Sequence, residues 1–466
     1  MSAIESSPST DIRTVLEKQR ASFLAREPYT LEERCELLDR AIGLLVDHEQ
    51  AIIEALTADF GHRSPAFSKG SEVLSPLATL KQTKADLAEW MRPEQRQARA
   101  GEAWVQYQPM GVVGIVTAWN VPGYMVFSGL AGALAAGNRV MIKPSEFTPH
   151  TSALIARLLR SVYAEEEVAV VLGGADVGQA FCAQPFDHLL FTGATSIGKH
   201  VMRAAAENLT PVTLELGGKS PAIVSAGVPL SDAAERIAFG KSMNAGQTCV
   251  APDYVLVPKD RVDGFVAAYR AAVQGFYPQL ADNPDYTAII NERQQQRLNG
   301  YLDDAQSKGA TLVPLFAEAQ GRRMPHSLLL NVSDEMKVMQ DEIFGPLLPI
   351  VPYERIEDAF AYVNRRARPL ALYYFGYDKR EQQRVLHETH SGGVCLNDTL
   401  LHVAQDDMPF GGIGPSGMGH YHGHEGFLTF SKAKAVFIKQ RFNAARLIYP
   451  PYGKALQKLI YKLFVR

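Results

Sequence analysis

From Gly111 to Gly218 the chain alternates short apolar runs with small-residue turns and helix-like segments, without an internal sequence repeat. "GVVGIVTAWN" precedes "YMVFSGLAGALAAG", "RVMIKPSE" precedes "PHTSALIARLLRSVY", and "EVAVVLGG" precedes "VGQAFCAQ". "DHLLFTG" then leads into "TSIGKHVMRAAAENL", and "PVTLELGG" closes the series. Strands that are apolar on both faces need covering on both, and helices between parallel neighbours supply the cover. The alternation therefore predicts an α/β fold built on a parallel, doubly wound, Rossmann-type sheet, the usual dinucleotide-binding architecture.

The flanks have a different texture. "YTLEERCELLDRAIGLLVDHEQAIIEALTADFG" spaces its apolar residues as helices do and opens on Thr30 with Glu33 three residues later, a capping box. "AWVQYQ", from Ala103, alternates apolar and polar like a half-buried strand of a small projecting ribbon. A second α/β region follows "LELGG" to about Phe410. The glycine-rich "MPFGGIGPSGMGHYHGHEG" marks a return crossing, and "KAKAVFIKQ" reads as a late ribbon strand. The expected divisions are residues 1–95 and 109–216 for the dinucleotide-binding domain and 217–410 for a catalytic domain. Residues 96–108 and 411–440 fall to a bridging and oligomerisation ribbon, and 441–466 to a tail.

Composition narrows the function classes. Lys+Arg number 47 against 50 Asp+Glu, a net charge of −3, so no basic footprint for nucleic acid is present. The polar N-terminus lacks the apolar core of a signal peptide, and no apolar run is long enough for a bilayer. Cys35, Cys182, Cys249 and Cys395 form no CxxC pair. A cytoplasmic chain with reduced thiols and no metal site is the expectation.

Six places could carry chemistry. Cys249 ends "NAGQTC", small and polar rather than apolar, which suggests an exposed, accessible thiol; the other three cysteines read as buried small hydrophobes. Glu215 lies inside the apolar strand "VTLELGG", where burial would raise its pKa towards that of a general base; a carboxylate bonded to backbone is the alternative. Asn120 ends the first strand, placed either to donate to an oxyanion or to make a turn before Pro122. "GATSIG", Gly193 to Gly198, opens a helix whose N–H groups could hold a pyrophosphate, although many strand-to-helix turns carry glycine. Lys143 and Glu146 of "KPSE" sit at a strand end and could hold a ribose, or form a solvated pair. Glu342 and Phe344 of "DEIFGP" could hold a ribose and cover a flat ring, or simply turn the chain.

Taken together, "AWN", "KPSE", "FTGATSIG", "LELGGKSP", "NAGQTC", "EIFGP" and "PFGG" resemble, in order and approximate spacing, the NAD(P)-dependent aldehyde dehydrogenase superfamily. The resemblance covers nearly the whole chain. "LNDTLLHVAQDDMPFGGIGPSGMGHYHGHEGFLTFS" and the "YPPYG" tail are most similar to the class 3 branch, and within it to the bacterial coniferyl aldehyde dehydrogenases. The resemblance implies Cys249 as nucleophile, Asn120 and the Cys249 N–H as oxyanion donors, and Glu215 as the base that activates water against a thioester. It implies an NAD site (NADP possible) in which Lys143 and Glu146 hold the adenosine ribose. Gly193, Ala194, Thr195, Ser196, Ile197 and Gly198 form the phosphate turn, with Ala194 where the family often has serine. Glu342 binds the nicotinamide ribose, with Trp119 and Phe344 in the same site. The implied substrate is a hydrophobic aldehyde, aromatic or long-chain, and the implied assembly a homodimer.

Two rival readings stand beside this one. Relatives that pass the thioester to coenzyme A or reduce acyl phosphates lack the carboxylate base, whereas Glu215 is present here. A catalytically silent, membrane-associated homologue would not need Cys249, Glu215 and Asn120 together. In the tail "YGKALQKLIYKLFVR", Leu456, Leu459, Ile460 and Leu463 share one helical face, and Lys454, Lys458 and Lys462 form a basic stripe. Docking on the enzyme's body is expected ahead of an entrance cover or a peripheral membrane contact.

Overall fold

The computed structural model describes residues 11–98, 101–317, 320–439, 441, 443, 446 and 449–464. Its first sheet contains the alternating strands of Gly111 to Gly218. Strands Val168–Val170, Arg139–Lys143, Val112–Val116, His188–Thr192 and Val212–Glu215 lie side by side in that order, all parallel. Nearly every residue of these strands is buried, which is why they read as continuous apolar runs. Helix Pro122–Ala135 covers one face and is itself buried except at Tyr124, so its small residues are a packing requirement.

Residues 411–440 divide between two sheets. Gly417–Met418 pairs antiparallel with Leu214 and Glu215 and closes the edge of the first sheet. Gly417 has φ 141°, and a Cβ there would lie 2.1 Å from the Leu214 carbonyl oxygen, so glycine is needed. Ser431–Ile438 instead joins the ribbon, where Glu102–Pro109 runs between it and Glu94–Arg96.

A seven-stranded sheet carries the second α/β region, in the order Thr311–Pro314, Ser327–Leu330, Leu347–Tyr353, Tyr254–Pro258, Pro221–Val224, Ala371–Phe375 and Gly393–Leu396. Only the first pair is antiparallel. The N-terminal helices pack against the first region, and the Thr30 capping box forms as read: Thr30 Oγ1 accepts from the Glu33 N–H, and Glu33 accepts from the Thr30 N–H.

The tail helix Ala455–Phe464 departs from its leading expectation. Leu456, Leu459 and Leu463 are 47%, 53% and 69% exposed, so the body of the protein does not cover this face. Buried Gln457 accepts from the Gly453 N–H and donates to the Tyr449 carbonyl, bonds that tie the start of the helix to the tail segment before it. No described helix is long and apolar enough to cross a membrane.

Candidate active site

The thiol segment is built under strain. Helix Leu230–Ser242 ends, and Asn244, Ala245 and Gly246 then take φ values of 52°, 53° and 73°. Only the glycine adopts this left-handed conformation freely; each of the others costs on the order of 1–3 kcal/mol and must be held by its surroundings. Asn244 Nδ2 donates to the carbonyls of Asn120 and Gln247, both at 3.1 Å. Gln247 donates to the carbonyls of Asn244 and Ala288 and accepts from the Ile290 N–H. A Cβ at Gly246 would lie 2.3 Å from the Gly345 carbonyl oxygen.

The small residues before Cys249 are therefore small because they are packed. Asn244 to Gln247 are buried, and only Thr248 and Cys249 are partly exposed. This corrects the expectation of an exposed thiol: a run of small polar residues marks close backbone approach as readily as openness, and sequence alone does not separate the two.

Cys249 lines a cavity of about 750 Å³ with Trp119, Asn120, Glu215, Glu342 and Phe344. The turn that follows strand His188–Thr192, from Gly193 to Ser196, lines the same cavity. Asn120 is 1% exposed and its Nδ2 has no hydrogen-bond partner. Glu215 is 3% exposed and neither carboxylate oxygen has one. Such groups are costly in a folded protein unless something else satisfies them. Phe344, itself at φ 47°, stands edge-on to Trp119 with ring centroids 5.2 Å apart.

Burial governs the electrostatics. It holds the Glu215 carboxyl well above the usual carboxylate range. Burial, with the Asp253 charge, pushes Glu342 up to about 8 against the opposing pull of the Gly218 N–H, Lys219 and Arg297. Burial and then the Glu342 and Glu215 charges push the Cys249 thiol up to about 12. In each of the three, burial favours the protonated form.

Four of the expected residues do not line this cavity. Lys143 and Glu146 pair with each other, Nζ to Oε2 at 2.8 Å, at the end of their strand. Ile197 is exposed on the helix Thr195–Ala206. Gly198 is buried, and a Cβ on it would lie 2.7 Å from Leu216, so its part is to let that helix approach the sheet. Other residues at the site went unread. Arg297 donates to the carbonyls of Glu342, Ile343 and Phe344 and so fixes the "EIF" loop. Lys219, inside "LELGGKSP", pairs with Asp253 and donates to the carbonyls of Val338 and Asp341. Both act through long-range contacts that no local spacing encodes.

The sequence matches the aldehyde dehydrogenase family over residues 1–436. The chain belongs to that family. It is 66% identical to a probable coniferyl aldehyde dehydrogenase of Pseudomonas aeruginosa, over 98% of this chain and 96% of the relative. The structure superposes on that of Staphylococcus aureus AldH in its substrate-bound state with a TM-score of 0.92 and 37% identity, covering 97% of this chain and 99% of the other. On a Mycobacterium tuberculosis aldehyde dehydrogenase complexed with NAD+ the TM-score is 0.85, with 30% identity and 94% and 92% coverage. This aldehyde dehydrogenase is accordingly an NAD(P)-dependent enzyme that oxidises an aldehyde to the acid.

The residues present fit a dinucleotide. The Gly193 turn opens a helix whose first N–H groups, at Thr195 and Ser196, suit phosphate. A Cβ on Gly217 would lie 2.1 Å from a Glu342 oxygen, so this glycine gives the carboxylate its place in the cavity wall. Among the described residues no cluster of metal-ligating side chains occurs.

Proposed function

We propose that this aldehyde dehydrogenase oxidises a hydrophobic aromatic aldehyde, of the coniferyl aldehyde type, with Cys249 as nucleophile, Asn120 as oxyanion donor and Glu215 as general base. The observation that carries the roles is the convergence of these three on one cavity, two of them with buried polar atoms that no protein group satisfies. Glu215 takes the thiol proton as Cys249 Sγ attacks the aldehyde carbon and later yields it to solvent, and the new oxyanion takes its hydrogen bonds from Asn120 Nδ2 and the Cys249 N–H. Bound NAD(P) supplies the hydride acceptor, and the substrate carbon is left as a thioester on Cys249. Glu215, its affinity for protons raised by burial, then takes a proton from the attacking water, and the acid leaves. A base at this position favours hydrolysis over transfer to coenzyme A.

Trp119 and Phe344, which line the cavity, and the 66% identity to a probable coniferyl aldehyde dehydrogenase support the substrate class; a further aromatic cluster lies outside the lining. Tyr124 Oη lies 3.1 Å from His422 Nε2, and the His422 ring stacks on Phe410 at 4.9 Å and meets Tyr421 at 4.3 Å. A flat conjugated substrate gains about 0.5–1.5 kcal/mol from each ring it packs against. Comparison of kcat/KM for coniferaldehyde, cinnamaldehyde, hexanal and decanal tests this, and arylpropenals should lead by roughly tenfold. A lead for decanal would overturn the aromatic assignment and favour a long-chain substrate.

The cofactor and assembly readings complete the proposal. Lys143 and Glu146 hold the adenosine ribose, and the Glu146 charge opposes a 2′-phosphate, so NAD is preferred to NADP. Strand Ser431–Ile438 leaves one edge of the ribbon unpaired, with Phe437 and Ile438 more than half or about half exposed, and such edges seek a partner strand. A homodimer formed through that edge is expected, and a monomeric mass from light scattering at micromolar concentration would refute it. No membrane contact is needed for any of these steps.

A further inference from the structure

Asn120 is held from both flanks by groups that do not line the cavity. Its own carbonyl accepts from Asn244, as described. Two residues later helix Pro122–Ala135 begins, and the N–H groups of Gly123 and Tyr124 donate to Glu72 Oε2 at 2.8 and 3.1 Å. Glu72 comes from a π-helical turn, Gly70–Leu74, of the kind that often re-aims a side chain at a functional site. Its other oxygen lies 2.7 Å from Arg63 Nη2, and both side chains are 0% exposed. The Arg63 guanidinium sits over the rings of Phe60 and Phe67 at 4.7 and 4.8 Å. Phe60 in turn packs on Trp119, centroids 6.3 Å apart. The ion pair thus reaches the residue before Asn120 through Phe60 and the helix after it through Glu72.

Stability is a poor explanation for this pair. Desolvation offsets most of the attraction in a buried ion pair, and apolar residues of like size often serve as well. What an apolar pair cannot do is accept from two N–H groups at a helix start and so fix where the helix begins. Gly123 fits the same design, since a Cβ there would lie 3.0 Å from Glu72 Oε2.

We propose that the buried Arg63–Glu72 pair is a positioning device for the oxyanion donor, setting the start of helix Pro122–Ala135 and through it the place of Asn120 Nδ2. The proposal rests on the reading of Asn120 as that donor. Displacement of a catalytic group by about 1 Å costs on the order of a hundredfold in rate. Glu72→Gln keeps an acceptor for the helix but removes the charge that holds it.

A double-mutant cycle tests the proposal on the full-length enzyme with NAD and the best aldehyde of the panel, using wild type, Glu72→Gln, Asn120→Ala and the double variant. Glu72→Gln should lower kcat by about tenfold or more, leave the KM for NAD within about twofold, and cost less than about twofold further once Asn120 is alanine. A smaller loss, a larger change in KM for NAD, or the same loss in both backgrounds overturns the proposal, the last because a purely structural role would act regardless of residue 120. Should Glu72→Gln fail to fold with Arg63 unpaired, Arg63→Met/Glu72→Gln, which buries no lone charge, takes its place in the cycle with the same outcomes. Wild-type turnover in Asn120→Ala alone would instead remove the oxyanion reading itself, and this proposal with it.

Discussion

Glu146 and Glu342, both assigned to ribose hydroxyls, are kept in opposite ways. Burial works against the Glu146 charge, but Lys143, a backbone N–H bond and the Arg293 charge together outweigh it and hold the carboxyl below its ordinary value. Glu342 is driven up to about 8 by burial. Glu146 has its partner in Lys143, and no residue from 143 to 149 takes a positive φ. The region of Glu342 and Cys249 holds left-handed Asn244, Ala245 and Phe344, a carboxylate at Glu215 without partners and an amide at Asn120 with a free donor. Binding sites can be satisfied at rest. A site that must stabilise charge appearing only during reaction cannot be, since groups already satisfied are not free to act.

The comparison breaks most sharply at the thiol end. Cys249→Ala should reduce NADH formation by roughly a thousandfold or more while NAD still binds, as measured by turnover and by cofactor fluorescence titration. Glu215→Gln should spare the first hydride transfer and stall at the thioester, giving one burst of NADH and a steady rate lower by about a hundredfold or more. Unchanged steady turnover in either variant would place the chemistry elsewhere.

Stability against pH gives the next largest contrast, with the signs opposed. Glu342 keeps its proton up to about pH 8 in the folded protein, while its ordinary value is 4.5. Its contribution is therefore fully present below pH 4.5 and lost as pH rises through about 8. Glu146, with its folded value depressed, contributes above its ordinary value and loses that contribution as pH falls. Melting temperatures of the cofactor-free enzyme between pH 5 and 8 should fall less steeply with rising pH in Glu342→Gln than in wild type. An unaltered slope would show that Glu342 is already ionised in the resting site.

The smallest effect belongs to the satisfied end. Glu146→Gln should leave turnover with saturating NAD nearly unchanged and shift the ratio of kcat/KM for NADP over NAD upward by about tenfold, as one like charge is removed from the 2′-position. An unmoved ratio would take Glu146 out of cofactor selection.

The strand and helix alternation was legible because it depends on local facts: apolar runs of strand length, turns of small residues, helical spacing. Thr30 and Glu33 cap their helix for the same reason, three residues being one turn. Glu215 could be singled out because a carboxylate is costly in an apolar strand wherever that strand goes. Cys249 was found by its neighbours but misread in its setting, since Gly246 is small to clear the Gly345 carbonyl, a hundred residues away in the chain. Arg297 and Lys219 are not legible for a like reason: they donate to backbone carbonyls far away in the chain, which every residue type offers.

The sequence by itself determined the parallel core, the order of the motifs and the residue types able to do thiol, base and amide chemistry. Periodicity and composition act over one turn or one strand, and the chain writes them directly. Only the tertiary structure decided that Asn120, Glu215 and Cys249 share a cavity, that Lys143 and Glu146 lie outside its wall, and that Arg63 and Glu72 stand behind Asn120. Burial raises Glu215, Glu342 and Cys249 together because low-dielectric surroundings are supplied by several elements at once. That is a property of packing, and no single stretch of chain carries it.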